Sequence, residues 1–310
     1  MSRPALSGHT RVVGVIGDPV AHSLSPTLHN AAFEALGIDW VYVAFPVDRG
    51  RGAEAVAAVS ALGLAGLSVT MPHKEEVAGA CDDLSADAAA LRSVNTVVAR
   101  PDGRTLGDST DGPGFLDALA DEGIAVDGQP VLVLGAGGAA RAVVLALGRA
   151  GASVTVAARR PDAAESAAAL APGARAVPLG AVVAPPGPSP AAEAVDPAAL
   201  AAPPGPSSAA RVVDPGGFSV VVNATPLGMS GGDPLPVDPE ALHAGQAVVD
   251  LVYHPADTPL LTAARLRGAL AVNGLGMLLH QAARSFTLWT GEPAPLDAMR
   301  AAVTAALAAR

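Results

Sequence analysis

The sequence predicts an α/β fold of two units, each a mostly parallel sheet covered by helices, with a cleft between them. Two observations carry this. Short runs rich in Val, Ile and Leu recur about every 25 to 30 residues and alternate with stretches of helical spacing, which is the pattern of βαβ units. The series also starts twice, near Val12 and again after Asp111, and 310 residues are about twice an ordinary domain.

In the first series, residues 12–16, 41–47, 66–70 and 94–98 each read as a buried strand. Between the first two lies a helix over 26–36, with Leu28, Ala32, Phe33 and Leu36 on one face and Gly37 ending it. A helix over 112–120 opens the second series, whose strands are expected at 131–134, 153–157, 219–222, 247–252 and 269–272. The pattern turns helical from Gly274 to Gly291, and the Ala-rich stretch 296–309 has good helix propensity. Residues 171–210 stand apart, with ten prolines, four glycines and three charged side chains. Most of that segment, about 180–210, reads as a disordered surface insertion, since it cannot bury enough surface to offset its ordering entropy. A proline-rich docking site is the weaker reading, because no flanking basic residues accompany it.

Charge and cysteine content narrow the function classes. The 29 acidic and 19 basic residues leave −10, so no global positive field gathers nucleic acid or an anionic membrane surface. Cys81 is the one cysteine, which excludes an internal disulfide and a thiolate metal cage and suits the cytoplasm. The apolar run at 12–16 is too short for a signal peptide, and Arg141 and Arg149 interrupt the longest apolar stretch, so neither secretion nor a membrane span is expected.

Gly135-Ala136-Gly137-Gly138-Ala139-Ala140 follows one expected strand and leads into a helix over 142–149. In that context Gly135 permits the tight turn, Gly137 lets backbone approach a pyrophosphate, and Ala140 packs closely on the strand. The helix N-terminus adds unpaired N–H groups for the phosphates, so a dinucleotide is expected here. At the end of the next strand, where an NAD site wants an acid, stand Arg159 and Arg160, which suit a 2′-phosphate and favour NADP. Asp162 nearby keeps NAD as the alternative.

Four further clusters carry chemistry. Ser25 reads as an N-cap before Pro26, whereas Ser23 is not needed for capping, and two hydroxyls at a helix start also make a small carboxylate site. In Thr70-Met71-Pro72-His73-Lys74, Lys74 opposes the dipole of the helix that Glu75 and Glu76 begin, at a cost of about 0.3–1 kcal/mol. Stability did not select it, and the same field favours the neutral amine that a proton-transfer residue needs. His73 is the rival acid/base but reads as structural. Asn95 interrupts an apolar run and needs partners if buried, and Asp111 either caps the helix it begins or holds the Lys74 ammonium. Asn223 to Gly228 and Asp250 to Tyr253 follow strands of the second unit, where ligands of parallel sheets bind; for Tyr253 itself a core position is the default.

Taken together, Ser23-Leu24-Ser25-Pro26, Val69-Thr70-Met71-Pro72-His73-Lys74, Val94-Asn95-Thr96, Ser109-Thr110-Asp111-Gly112, the Gly135 turn, Asn223-Ala224-Thr225-Pro226 and Asn273-Gly274-Leu275-Gly276-Met277 resemble the shikimate dehydrogenase family, in its order and over residues 12–290. The resemblance implies an NADP-dependent oxidoreductase that reversibly reduces 3-dehydroshikimate to shikimate in aromatic amino-acid biosynthesis. It places Ser23 and Ser25 on the substrate carboxylate and Thr70, Lys74, Asn95, Asp111 and Gln281 on ring hydroxyls, with Tyr253 a further contact. It sets Gly135, Ala136, Gly137, Gly138 and Ala139 on the pyrophosphate, Arg159 and Arg160 on the adenosine phosphate, and Leu251, Gly274 and Met277 at the nicotinamide.

In this reading Lys74 is the general acid/base and Asp111 positions it. The implied substrate-binding domain is discontinuous, 1–110 with helices 275–310 packing back, and the Rossmann dinucleotide-binding domain is 111–274. Three features depart from the family: Arg92-Ser93 stand where Gly-Ala is usual, Ala158-Arg159-Arg160 replace Asn-Arg-Thr, and the proline-rich insertion is extra. A quinate/shikimate dehydrogenase using NAD is the alternative within the class, and a non-catalytic nucleotide-binding regulator the alternative outside it. The expected state is a monomer or homodimer without metal.

Overall fold

The computed structural model describes residues 6–179, 214–230 and 232–309. The chain opens with β1 (Arg11–Gly17), α1 (Ser25–Leu36), β2 (Trp40–Pro46), α2 (Gly52–Ala61), β3 (Gly66–Val69) and α3 (Lys74–Ala80). Next come β4 (Asp83–Leu84), α4 (Ala86–Leu91), β5 (Thr96–Ala99) and β6 (Thr105–Asp108). These strands form one sheet in the order β2-β1-β3-β5-β6-β4. Then follow α5 (Asp111–Asp121), β7 (Pro130–Leu134), α6 (Gly138–Arg149), β8 (Ser153–Ala158), α7 (Pro161–Ala168), β9 (Arg175–Pro178), β10 (Val220–Asn223), β11 (Ala247–Asp250), α8 (Pro259–Leu266) and β12 (Leu270–Val272). Their sheet, β12-β11-β10-β7-β8-β9, is parallel throughout. Two helices close the chain, α9 (Leu275–Thr290) and α10 (Leu296–Ala308).

The α/β class, both strand series and the mostly parallel sheets agree with the sequence; in the first sheet β1, β2 and β3 pair in parallel, as do β4 and β6, and β5 runs antiparallel to β3 and to β6. Two details differ, the short strands β6 and β9 and the buried face of α1. The turn joining β5 and β6 is built by Pro101-Asp102-Gly103: Gly103 has φ +81°, its N–H donates to Arg100, and the Asp102 carboxylate accepts from the Arg104 N–H. With one large apolar residue, Leu106, β6 left no period to detect. Likewise β9, at an exposed sheet edge, lies within the compositionally odd 171–210 stretch; the insertion expected at 180–210 falls wholly outside the described residues. Finally, Leu36 is 41% exposed, and His29 joins Leu28, Ala32 and Phe33 on the buried face of α1.

His29 belongs to an aromatic cluster that packs α9 and α10 back onto the first sheet. Its ring stacks on Tyr42 at 4.4 Å and 8°, with Phe33, Phe286 and Trp289 around it. Burial depresses its pKa from 6.5 to about 3, so the unfolded chain takes up a proton near pH 6.5 that the folded one refuses. Stability is therefore complete above pH 6.5 and falls by about 1.4 kcal/mol per unit below it, toward pH 3. Between pH 7 and pH 5 the His29→Phe variant is expected to lose about 2 kcal/mol less than the wild type. Urea unfolding midpoints at the two pH values check this, and equal losses would refute it.

Candidate active site

The helix α5 starts where the first sheet ends, and its first residue is Asp111. Close helix approach sets its position: a Cβ on Gly114 would come 2.5 Å from the backbone nitrogen of Gln281, so α5 and α9 touch backbone to backbone. Lys74 opens α3 on the other side. Its Nζ lies 2.6 Å from Asp111 Oδ2, the carboxylate residue being only 8% exposed. Asp111 does not cap its helix, since the N-cap is Thr110 and makes no side-chain cap bond. The ion pair offsets the dipole conflict at Lys74.

Asn95, the expected buried amide, supplies the other side of this carboxylate. The Thr110 N–H donates to Asn95 Oδ1 at 2.8 Å, which fixes the amide's orientation because a backbone N–H only donates. Asn95 Nδ2 therefore donates to Asp111 Oδ1 at 2.7 Å and to Thr110 Oγ1 at 2.9 Å. Both carboxylate oxygens are occupied, so Asp111 has one rotamer to offer. His73 is buried and donates from Nε2 to the Val47 carbonyl at 2.8 Å. It has a structural place and lies outside the cavity that Lys74 faces.

That cavity measures about 240 Å³. Ser23, Ser25, Thr70, Lys74, Asn95 and Asp111 line it from the first sheet's side. Ala139, Leu251, Tyr253, Gly274, Met277 and Gln281 line it from the other. The capping reading of Ser25 fails: the helix already includes it, the preceding Leu24 is in the αR region, and Ser23 Oγ accepts from the Ser25 N–H at 3.3 Å. Both residues line the cavity instead. Ser68 and His22 also line it, and sequence reasoning missed them. For Ser68 a signal existed, a polar residue between Leu67 and Val69 in a strand otherwise apolar.

A second cavity of about 900 Å³ adjoins the glycine turn, lined by Gly135, Ala136, Gly137, Arg159 and Arg160. Gly138 begins α6 behind them. Gly135 has φ +109°, and a Cβ there would meet the Ala224 carbonyl at 2.9 Å. That carbonyl belongs to the loop after β10, whose shape a buried network sets. Asn223 Oδ1 accepts from the Thr225 N–H and hydroxyl, and Asn223 Nδ2 donates to the Leu227 carbonyl and to Asp250. Asp250, fully buried and with its pKa raised by that burial, also accepts from Thr258 Oγ1 and the Val252 N–H. Arg92, where the family pattern has Gly, takes φ 51° and ends α4.

The residues present fit a phosphorylated dinucleotide. The first turn of α6 has no side-chain cap, space is open above Gly137, and among the described lining residues two guanidiniums and no carboxylate face the larger cavity. The turn borders both cavities, with Gly135 on one and Ala139 on the other. Among the described residues no cluster of His, Cys, Asp or Glu is suited to hold a metal ion, and no helix is long and apolar enough to cross a membrane.

Comparison with known proteins adds independent findings. Residues 15–97 match the shikimate dehydrogenase substrate binding domain, and residues 274–304 the shikimate 5′-dehydrogenase C-terminal domain. The shikimate dehydrogenase (NADP(+)) of Geobacter sp. strain M21 is 44% identical, over 98% of both chains. That of Rubrobacter xylanophilus is also 44% identical, over 98% of this chain and 99% of its own. Among solved structures, a shikimate dehydrogenase in complex with NADP+ superposes with TM-score 0.82 at 32% identity, over 98% of both chains. The Thermus thermophilus shikimate 5-dehydrogenase in complex with NADP(H) and shikimate gives 0.80 at 35%, over 96% of this chain and all of its own. A Corynebacterium glutamicum quinate dehydrogenase in complex with NAD gives 0.79 at 28%, over 96% and 99%.

Proposed function

The chain belongs to the shikimate dehydrogenase family, and on that premise we infer that it catalyses the reversible NADPH-dependent reduction of 3-dehydroshikimate to shikimate, a step of aromatic amino-acid biosynthesis. The observation that carries this reading is the 2.6 Å Lys74–Asp111 pair, facing a cavity that the serine pair and the glycine turn both border.

When bound, NADPH supplies the hydride. In this mechanism Ser23 and Ser25 donate to the substrate carboxylate, assisted by the α1 N-terminus. Thr70, Asn95, Gln281 and Tyr253 orient the ring hydroxyls. The ketone oxygen gains negative charge during reduction, and Lys74 gives it a proton from Nζ, a role typically worth roughly 10²–10⁴-fold. Asp111 keeps the ammonium in place, and in the oxidative direction the neutral Lys74 takes the proton back. Gly135 to Ala139 would hold the pyrophosphate, Arg159 and Arg160 the 2′-phosphate, and Leu251, Gly274 and Met277 the nicotinamide end.

The reading includes a discontinuous substrate domain, 1–110 with 275–310, and a nucleotide domain, 111–274, with hinge motion between them expected from a cleft site shared by both. It also includes a cytoplasmic location and a monomeric or homodimeric state. Initial rates with shikimate and quinate, each with NAD and NADP, test it. Shikimate with NADP is expected to exceed the other three combinations. A preference for quinate with NAD would overturn it for the alternative activity, and NADPH binding without turnover would make the chain a regulator.

A further inference from the structure

We propose that Tyr42 is a positioning residue of the substrate site, its phenol setting the hydroxyls of Ser25 and Ser68 that face the ligand; this rests on the functional reading above. Tyr42 lies in β2, 1% exposed, with its ring stacked on His29 and tilted against Trp289 at 6.0 Å. Its hydroxyl is buried and has no hydrogen-bond partner among the described residues in this conformation. Tyr42 pairs with Val13 and Ser68 with Val15, so the two residues share one face of the sheet on either side of β1, and the Ser25 side chain is also set beside the phenol. Burial raises its pKa, so it is a neutral O–H donor. Ser25 and Ser68 both line the 240 Å³ cavity.

A buried phenol ordinarily finds a partner, and one that only filled space would be served as well by phenylalanine. The hydroxyls within its view belong to residues of the cavity wall. A serine hydroxyl has one proton and two acceptor positions. When it accepts from Tyr42, its own proton is directed elsewhere, and the cavity is the open direction. A carboxylate or ring oxygen there only needs a donor, and a hydroxyl that already accepts donates more strongly. Ligand binding thus aligns the three hydroxyls, with Tyr42 outermost and never touching the substrate.

The test is Tyr42→Phe, which keeps the ring and its stacking. The Michaelis constant for shikimate is expected to rise roughly fivefold, the worth of one hydrogen bond. The constant for NADP stays unchanged, and the melting temperature does not fall. A purely structural tyrosine would leave the shikimate constant alone, and that result overturns the proposal. Ser68→Ala, alone and combined with Tyr42→Phe, gives a second reading: the double variant is expected to be no worse than the more impaired single one, and full additivity refutes the coupling. Inactivity of the wild type toward shikimate would instead remove the functional reading, and this proposal with it.

Discussion

Lys74→Ala is expected to lower turnover at least a hundredfold in both directions and to leave NADPH affinity nearly intact. The reason is geometric. Lys74 lines the smaller cavity and none of the larger one, so in the proposed mechanism it meets the reacting end and not the adenosine phosphate. Removing the proton donor forfeits roughly 10²–10⁴-fold, while the glycine turn and both arginines remain. Lys74→Arg separates the two contributions of this residue. Arginine keeps the charge beside Asp111 but holds its proton at any working pH, so it restores electrostatic support and not proton transfer. Steady-state rates and a cofactor fluorescence titration read both quantities. Near-normal turnover of the alanine variant would discard the assignment, and full rescue by arginine would convert it to an electrostatic role.

The double substitution Arg159→Ala and Arg160→Ala is expected to raise the Michaelis constant for NADPH about a hundredfold, leaving that for NADH unchanged. Both side chains are exposed, so each contact to a 2′-phosphate is placed near the low end of charge-assisted bonds, about 1.5 kcal/mol, and two of them give that factor. The effect should shrink as salt is added, since exposed charges are screened. Parallel initial-rate series with the two cofactors at low and high ionic strength measure it. An equal rise for both cofactors would mean that the arginines shape the pocket and do not read the phosphate.

Much of this was legible in one dimension because it depends on local physics. Buried parallel strands are continuous apolar runs, so β1, β7, β8 and β11 stand out without any contact information. A glycine turn between strand and helix states its own backbone requirement, and Gly135 does adopt φ +109°. Lys74 was visible as a charge placed against its helix dipole. Strands with few apolar residues were not legible: β6 has only Leu106, and β9 sits at an edge where half its residues face solvent.

Ser25 shows the boundary between the two kinds of information. Its chain neighbours make it an N-cap, but capping is decided by backbone angles, and with Leu24 in the αR conformation Ser25 belongs to the helix and lines the cavity. Asp111 has the same history, since only the fold brings Lys74 Nζ and Asn95 Nδ2 to its two oxygens from 37 and 16 residues away. Ser68 carried only the signal of a polar residue in an apolar strand, and Tyr42 carried none. The sequence by itself determined the element types, the phosphate turn and which residues were too polar or too charged for their local setting. The tertiary structure alone decided which of those met, because partners of buried polar groups are chosen by packing distances that no spacing along the chain encodes.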